Sequence, residues 1–230
     1  MSDAPTPFRR IRSFVIRGGR MTAGQERALE KLLPRYGIEF SQLPVDFETC
    51  FGRRARRMME IGFGAGESLL EYARAHPDID CLGVEVHRPG VGHLLLDAHS
   101  AQLNNLRVIC HDAVEVLAAL TPGSLDAVHI FFPDPWHKKR HHKRRLIQPS
   151  FAELLSAVLK PKGVVRMATD WHPYAVQMLE VLTANPSFRN TSVSGDFVAR
   201  PGDRPLTRFE RRGHRLGHDV WDLEFESIEV

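Results

Sequence analysis

A single carboxylate stands between two prolines in the middle of the chain, just before a dense group of cations. Residues 131–145 read FFPDPWHKKRHHKRR, so that Asp134 is flanked by prolines and followed closely by Trp136. The eight residues Lys138–Arg145 comprise six Lys or Arg and two His. Because proline fixes φ, the backbone around the acid is restricted on both sides. A rigidly held acid beside such a cluster predicts chemistry on a polyanion.

Three further acids precede Asp134 in the chain, each at or near the end of a short apolar segment. They are Glu60, Glu85 and Asp112. The turn at residues 62–66, GFGAG, follows the first of them. Glycine has no Cβ and tolerates positive φ, so the backbone of this turn can approach a ligand closely.

The elements that must position these acids alternate in type along the chain. Apolar segments predict strands at 58–61, 81–86, 106–110, 125–132, 164–168 and 220–228. Apolar periodicity and breaker residues predict helices at 22–33, 67–75, 89–102, 114–120, 149–159 and 173–183. This alternation predicts an α/β fold, with a mostly parallel sheet covered by helices on both faces. Ligands of such sheets bind at the carboxyl ends of the strands, where the four acids are expected to meet.

The rest of the chain is interpreted as one domain, residues 21–230, preceded by a flexible basic arm, residues 1–20. The first helix is expected to start at a capping box between Thr22 and Gln25 and to end at Pro34. Residues 38–52 are interpreted as a loop. The run Arg53–Arg57 is either a solvated approach to the first strand or a contact with RNA.

The overall composition is that of an ordinary globular protein. The 230 residues are 43% hydrophobic and 26% charged, with a net charge of +3. Three cysteines without CxxC spacing indicate a reducing compartment. No apolar run approaches the roughly 18 residues of a membrane span. We therefore expect a cytoplasmic protein that does not enter a membrane.

The spacing of the glycine turn argues against a dinucleotide. NAD sites use GxGxxG with the pyrophosphate at a helix N-terminus, whereas this turn is GxGxG with Glu60 two residues before its first glycine. A carboxylate there would repel a pyrophosphate and would suit a cation. S-adenosylmethionine carries an ammonium and a sulfonium and no phosphate. Glu85 could then accept hydrogen bonds from both ribose hydroxyls, and Asp112 could reach the adenine amino group, so we predict this cofactor.

Six segments together resemble the ordered motifs of the tRNA (guanine-N7-)-methyltransferases. They are EIGFGAGES, GVEVHRPG, HDA, FFPDPWHKKRHHKRRL, ATDW and TRFE, within a resemblance that runs from about residue 12 to the C-terminus. It implies a class I methyltransferase fold, Rossmann-like, with a seven-stranded sheet whose last strand is antiparallel. It also implies methyl transfer from S-adenosylmethionine to N7 of guanosine 46, in the variable loop of tRNA.

The resemblance also assigns residues to the site. The cofactor positions are Glu60, Gly62, Gly64, Gly66, Glu85, Asp112 and Asp134, the last of which is also the catalytic residue. The substrate positions are Lys138, Asp170, Thr207, Arg208, Phe209 and Glu210. The RNA-contacting positions are Arg140, His141, His142, Lys143, Arg144 and Arg145. No metal is expected.

The chemistry of guanine N7 defines what Asp134 must do. N7 has a free lone pair and no proton, so no base is needed to create the nucleophile, and the product ring is cationic. Asp134 is therefore expected to position the base and to stabilise developing charge. Which of Asp134, Asp170 and Glu210 reads the guanine edge stays open, as does whether Trp136 stacks on the base or packs the loop. His137 is expected to be structural.

Two other functions fit parts of the pattern. An enzyme that methylates an amino group of a nucleic-acid base usually has an Asn/Asp-Pro-Pro-aromatic turn, whereas here the acid lies between the prolines. A non-catalytic RNA-binding protein could keep the cofactor site for stability alone.

Because the basic face is expected to be exposed, we expect a monomer, with a homodimer as the alternative. Thr207 and Glu210 also fit an ordinary capping box.

Overall fold

A computed structural model describes residues 12–15, 20–215, 217 and 219–228, with the side chains of Arg208, Phe209, Arg212 and His214 left out. Its helices are α1 (Ala23–Tyr36), α2 (Phe47–Phe51), α3 (Glu67–Ala75), α4 (Arg88–Ser100), α5 (Ala113–Ala119), α6 (Pro149–Val158), α7 (His172–Ala184) and α8 (Arg208–Arg215). Its strands are β1 (Arg56–Ile61), β2 (Ile79–Val84), β3 (Leu106–Ile109), β4 (Leu125–Phe131), β5 (Leu159–Thr169), β6 (Phe188–Asn190) and β7 (Trp221–Ser227). Short 3₁₀ helices span Phe40–Gln42 and Lys139–Arg144.

The seven strands form one sheet in the order β3-β2-β1-β4-β5-β7-β6. Strands β1 to β5 are parallel, and β7 runs antiparallel to both of its neighbours. The predicted mostly parallel, seven-stranded sheet with an antiparallel last strand is thus confirmed. Parallel strands are covered on both faces, and all six residues of β2 are accordingly buried.

Side chains that alternate along each strand build two separate cores. Met58, Cys81 and Val108 belong to one hydrophobic cluster, and the residues directly after them, Met59, Leu82 and Ile109, belong to the other. Successive strand residues point to opposite faces, so the two clusters lie on opposite sides of the sheet. Helices α1, α3 and α4 supply the first cluster, and α5, α6 and α7 supply the second. The prediction of helices on both faces is confirmed.

The first helix is longer than predicted. The expected capping box is present, since Thr22 and Gln25 each accept a hydrogen bond from the other's backbone N–H. The expected end at Pro34 was wrong, because α1 continues to Tyr36. The ring of Tyr36 is fully buried and its hydroxyl donates to the carbonyl of Ala98 at 3.4 Å. Packing of α1 against α4 therefore keeps the last turn helical despite the proline.

Residues 38–52 are partly helical rather than a loop. Asp46 caps α2 by accepting from the backbone N–H groups of Glu48 and Thr49, and Phe47 is buried beneath it. Arg57 lies over the Phe47 ring, and Arg53 pairs with the buried Asp80.

Strand β5 starts five residues earlier than predicted, at Leu159.

Part of the N-terminal arm can be described. Residues 12–15 lie against the domain, and residues 1–11 and 16–19, which make up most of the predicted arm, lie outside the described residues. Within the described part of the chain, no helix is long and apolar enough to cross a bilayer.

Candidate active site

Four acids line one edge of the sheet. Glu60 is the second-last residue of β1, Glu85 follows β2, and Asp112 and Asp134 lie three residues beyond β3 and β4. Because these four strands are parallel and adjacent, their carboxyl ends meet at the same edge. The expected meeting of the four acids is found, in the spatial order Asp112, Glu85, Glu60 and Asp134.

The glycine turn between β1 and α3 has the backbone that its sequence predicts. Gly62, Gly64 and Gly66 have φ of 73°, 58° and 86°, in the left-handed region that favours glycine. Helix α4 packs so closely on this turn that a Cβ at Gly90 would stand 2.0 Å from the carbonyl oxygen of Gly64. The turn is thus fixed by packing as well as by its own sequence.

Glu85 is tied to the backbone around it. Its Oε2 accepts from the N–H of Gly64 at 2.9 Å, and its Oε1 accepts from the N–H groups of Val86 and His87 at 2.7 and 2.8 Å. An ionised carboxylate has about four lone-pair sites, so three of them are engaged. Glu85 therefore holds the glycine turn to the end of β2, a task that its sequence position did not reveal.

Asp112 is the N-cap of α5, where its Oδ1 accepts from the backbone N–H of Val114 at 3.0 Å. The strand ends before Asp112 and the helix starts after it, so the carboxylate is fixed at the mouth of the cleft. Beside it, His111 pairs with Glu115 at 2.6 Å and stacks on Phe40.

Asp134 is exposed on a strained turn. Phe132 and Trp136, two residues before and two residues after it, have φ of 53° and 46°. Positive φ in bulky residues costs of order 1–3 kcal/mol each and tends to mark functional sites. The backbone N–H of Phe132 donates to the carbonyl of Ala168 on β5. The turn is therefore held away from its preferred conformation, with its carboxylate open to the cleft.

Two adjoining cavities run along these acids. One, of about 210 Å³, is lined by Glu85, Asp112 and Asp134. The other, of about 370 Å³, is lined by Glu60, the glycine turn and Thr207. Gly62 and Phe132 line both. An elongated ligand can therefore extend from the end of β3, past the glycine turn, to the start of α8.

Glu60 is a buried acid that lacks a complete set of partners. It is 3% exposed, and its Oε2 has no hydrogen-bond partner among the described residues. Burial penalises the charged form and raises the pKa of Glu60 to about 8. A ligand with an ammonium group at this place would compensate that cost, so the cavity fits a cationic ligand end.

The described part of the N-terminal arm closes the first cavity, a role that the sequence did not indicate. Ser13 and Phe14 line the cavity together with Asp112 and Asp134. The indole Nε1–H of Trp136 donates to the carbonyl of Ser13 at 2.9 Å. Arg144 donates to the carbonyls of Arg12 and Phe14 at 3.3 and 3.4 Å. Its guanidinium also lies over the Trp136 ring, 4.0 Å from the centroid.

Trp136 therefore packs the loop and the arm, which was one of the two alternatives for this residue. One of its faces is covered by Arg144 and its N–H is bonded to the arm.

His137 stacks on Trp171, with ring centroids 4.2 Å apart. Trp171 directly follows Asp170, which is half-buried at the end of β5. Trp171 is 36% exposed.

The basic segment divides into exposed and engaged cations. Lys138, Lys139, Arg140 and Lys143 are exposed on and before the 3₁₀ helix. His141 lies among them, and desolvation followed by the charges of Arg140 and Arg144 lowers its pKa. Arg144 is half-buried by the contacts with the arm. His142 is also half-buried, and its ring Nε2 lies 3.2 Å from Arg145.

Arg145 points inward. It is only 3% exposed, and it donates to the carbonyl of Pro135 at 2.9 Å and to Oε1 of Gln177 at 2.6 Å. Its guanidinium also lies over the buried ring of Tyr174. The sequence placed Arg145 among RNA contacts, whereas this geometry gives it the task of holding the Asp134 turn to α7.

The predicted substrate positions at the start of α8 differ in accessibility. Thr207 lines the second cavity, and its hydroxyl accepts from the backbone N–H of Glu210 at 3.2 Å. Glu210 is 1% exposed and its carboxylate pairs with the buried Arg204, which the sequence did not single out. The Thr207 half of the predicted capping box is present, and the Glu210 carboxylate also pairs with Arg204. The side chains of Arg208 and Phe209 lie outside the described part of the chain.

The strand order defines the class of this protein by its fold, which is that of the class I methyltransferases. The 16S rRNA methyltransferase KamB superposes with a TM-score of 0.60 at 18% identity, covering 80% of this chain and 93% of that one. A 16S rRNA (adenine(1408)-N(1))-methyltransferase from Catenulisporales acidiphilia, solved with its cosubstrate SAM, gives 0.57 at 19% identity, covering 81% and 92%.

Comparison of the sequence with known proteins finds relatives of much higher identity than these solved structures. A family model described as a putative methyltransferase matches residues 54–223. A tRNA (guanine-N(7)-)-methyltransferase from Pseudomonas aeruginosa strain UCBPP-PA14 is 57% identical over 228 residues, 99% of this chain and 93% of that protein. One from Salmonella choleraesuis is 58% identical over 223 residues, 96% and 93% respectively. The chain belongs to the tRNA (guanine-N(7)-)-methyltransferase family.

Proposed function

We propose that this protein transfers a methyl group from S-adenosylmethionine to N7 of guanosine 46 in the variable loop of tRNA. The observation that carries the proposal is the pair of adjoining cavities, which joins four strand-end acids to an exposed Asp134. Family membership supports the reaction, and the exposed cations next to Asp134 support a nucleic-acid substrate.

The cofactor fits these cavities with its two ends in different surroundings. The adenosine end suits the cavity at Glu85 and Asp112, where Asp112 can accept from the adenine amino group. The aminoacyl end suits the glycine turn, where Glu60 is buried without a full set of partners. When bound, S-adenosylmethionine supplies an electrophilic methyl group on its sulfonium.

Asp134 acts on the guanine in two ways. Its carboxylate stabilises the positive charge that the ring acquires, and it fixes N7 near the reacting methyl. Removal of a proton is not required, because N7 carries none. Since Glu210 is buried against Arg204, reading of the guanine N1–H and amino edge is assigned to Asp134 and Asp170.

Four exposed cations form the proposed phosphate contacts: Lys138, Lys139, Arg140 and Lys143. Each neutralised phosphate contributes about −0.9 to the slope of log K against log salt, so the tRNA affinity should fall with a slope of about −3 to −4. Arg144 and Arg145 are assigned instead to holding the arm and the Asp134 turn.

The test is methyl transfer to an unmodified tRNA transcript. Labelled S-adenosylmethionine, wild-type tRNA and a transcript with adenosine at position 46 are compared, and the product is mapped by borohydride and aniline cleavage, which cuts at 7-methylguanosine. We expect cleavage at position 46 of the wild-type transcript only. Label in an amino-methylated base, or binding without transfer, would support one of the two alternative functions instead.

Asp134→Asn tests the catalytic assignment, with Asp97→Asn on the half-exposed surface of α4 as the matched control. We expect the Asp134 variant to lose at least about tenfold in the rate constant for transfer, since a charge-assisted contact is worth about 1.5–3 kcal/mol. The control should retain the wild-type rate. A near-normal rate for Asp134→Asn would remove Asp134 from the mechanism.

A further inference from the structure

Arg204 is a buried guanidinium with two carboxylates. Its side chain is 1% exposed. NH1 and NH2 donate to Oε2 and Oε1 of Glu210 at 2.8 and 2.6 Å, which is a bidentate pair. Its Nε lies 2.7 Å from Oδ1 of Asp222 on β7, and NH2 donates to Oδ2 of the same residue at 3.1 Å. Arg204 thus ties α8 to the sheet through both ends of its planar group.

The guanidinium of Arg204 also lies next to the segment that leads to Asp134. It lies 5.7 Å from the ring centroids of both Phe131 and Phe132. Phe131 ends β4, and Phe132 is the strained residue that leads through Pro133 to Asp134. A cation held over these rings stabilises their orientation, and desolvation strengthens such contacts.

The other end of the connection reaches the second cavity. Glu210 lies in the first turn of α8, and its backbone N–H donates to the hydroxyl of Thr207. Thr207 lines the cavity with Glu60, the glycine turn and both Phe131 and Phe132. Arg211, one residue beyond Glu210, also pairs with Glu67 on α3 at 3.7 Å. The start of α8 is therefore a wall of the cavity, and the Glu210 carboxylate is its anchor.

We propose that Arg204 is a positioning residue for methyl transfer, which holds the Thr207 wall and the Phe131–Phe132 segment in one fixed arrangement around the reacting groups. It touches neither cofactor nor base and acts through Glu210 and the two rings. This inference rests on the proposed function of the same site. An arginine is needed because its planar fork binds the Glu210 carboxylate with two N–H groups while NH2 also donates to Asp222, which a lysine cannot do.

The decisive measurement is a single-turnover time course with saturating enzyme and cofactor and labelled tRNA. A purely structural role would lower the fraction of active enzyme, which is measured separately as the stoichiometry of S-adenosylmethionine binding in a calorimetric titration, while the rate constant at saturation stayed the same. A positioning role lowers the rate constant at full binding stoichiometry. For Arg204→Lys we expect the binding stoichiometry of the wild type and a rate constant at least about tenfold lower. The dissociation constant for tRNA should stay within about twofold, because the exposed cations are unchanged.

Glu210→Gln makes the test independent of how well Arg204→Lys folds. It keeps the shape of the side chain and removes the charge to which Arg204 is bonded, so its rate constant should fall similarly. The two changes together should lower the rate by less than the product of the single effects, because they break one connection. Asp203→Asn is the control, because Asp203 precedes Arg204 in the same loop. It removes the ion pair between Asp203 and Arg166 on β5 and should leave the rate constant unaltered.

A rate constant within about twofold of wild type for Glu210→Gln would overturn the proposal. So would a reduced stoichiometry of cofactor binding at an unchanged rate constant for Arg204→Lys. Failure of the proposed function has a different signature, since the wild-type protein itself would then leave guanosine N7 unmethylated.

Discussion

Replacement of Arg144 by alanine should weaken cofactor binding in the absence of tRNA, although this residue lies in the basic segment. Its side chain donates two long hydrogen bonds to arm carbonyls and covers the Trp136 ring. The arm in turn places Ser13 and Phe14 in the wall of the first cavity. Loss of Arg144 should therefore detach part of that wall.

The magnitude follows from the contacts. Two hydrogen bonds at 3.3 and 3.4 Å are at the weak end of the range, so about 0.5 kcal/mol each is a fair value. The stacking of Arg144 on Trp136 adds about 0.5–1 kcal/mol at a half-exposed site. The total of about 1.5–2 kcal/mol is the most that closure of the arm can lose. The dissociation constant for S-adenosylmethionine should thus rise by roughly tenfold and by less than about thirtyfold.

Calorimetric titration of the protein with S-adenosylmethionine measures this constant directly. Lys143→Ala is the matched control, because Lys143 is the adjacent cation and is exposed. It should leave cofactor affinity unchanged and reduce the salt slope of tRNA binding by about 0.9. Trp136→Phe keeps an aromatic ring but loses the 2.9 Å bond to Ser13, so it should resemble Arg144→Ala. Equal cofactor affinities for the Arg144 and Lys143 variants would refute the role of the arm.

Three further expectations concern buried groups. Glu60→Gln should bind S-adenosylmethionine at least about tenfold more weakly by calorimetry. Burial raises the pKa of Glu60 from 4.5 to about 8, so the wild-type protein loses stability as the pH rises between these two values. The melting temperature of the variant without cofactor should therefore rise relative to that of the wild type from pH 5 to 8. Burial lowers the pKa of His129 from 6.5 to about 3, so its stability contribution is present above pH 6.5 and lost below it; His129→Phe should flatten the fall of the urea midpoint between pH 7 and 5. Arg145→Ala should lower the free energy of unfolding by about 2 kcal/mol or more in urea titration, whereas Lys138→Ala should not. Values equal to those of the wild type for the Glu60, His129 or Arg145 variant would contradict the role given to that residue.

Much of the sheet and the line of acids could be predicted because their signals are local. An apolar strand followed by an acid, or by glycines at positions that need positive φ, is visible within a few residues, as at Glu60 and the turn after it. Helix α2 was missed although its N-cap, Asp46, is also a local signal. The predicted end of α1 at Pro34 was wrong because burial of Tyr36 outweighs a local helix breaker.

The other site features depend on contacts between distant residues. Trp136 and Ser13 are 123 residues apart, and no pattern in either segment indicates that they meet. A run of cations likewise does not reveal which of its members point inward. In the 3₁₀ helix Lys139–Arg144 the side chains repeat about every three residues, and the next residue, Arg145, begins the return to the core before the buried Ile147.

Asp134 is held from both sides by contacts of two buried guanidinium groups, those of Arg145 and Arg204. Arg145 donates to the carbonyl of Pro135, directly after the acid, and Arg204 lies under the ring of Phe132, two residues before it. The positive φ at Phe132 and Trp136 costs of order 1–3 kcal/mol each, so this turn would relax without support. Contacts made by buried charged groups are strong enough to offset that cost. Arg145 is thereby turned away from the exposed cations of the basic segment, and the carboxylate that both groups support is kept rigid at the place proposed for the guanine.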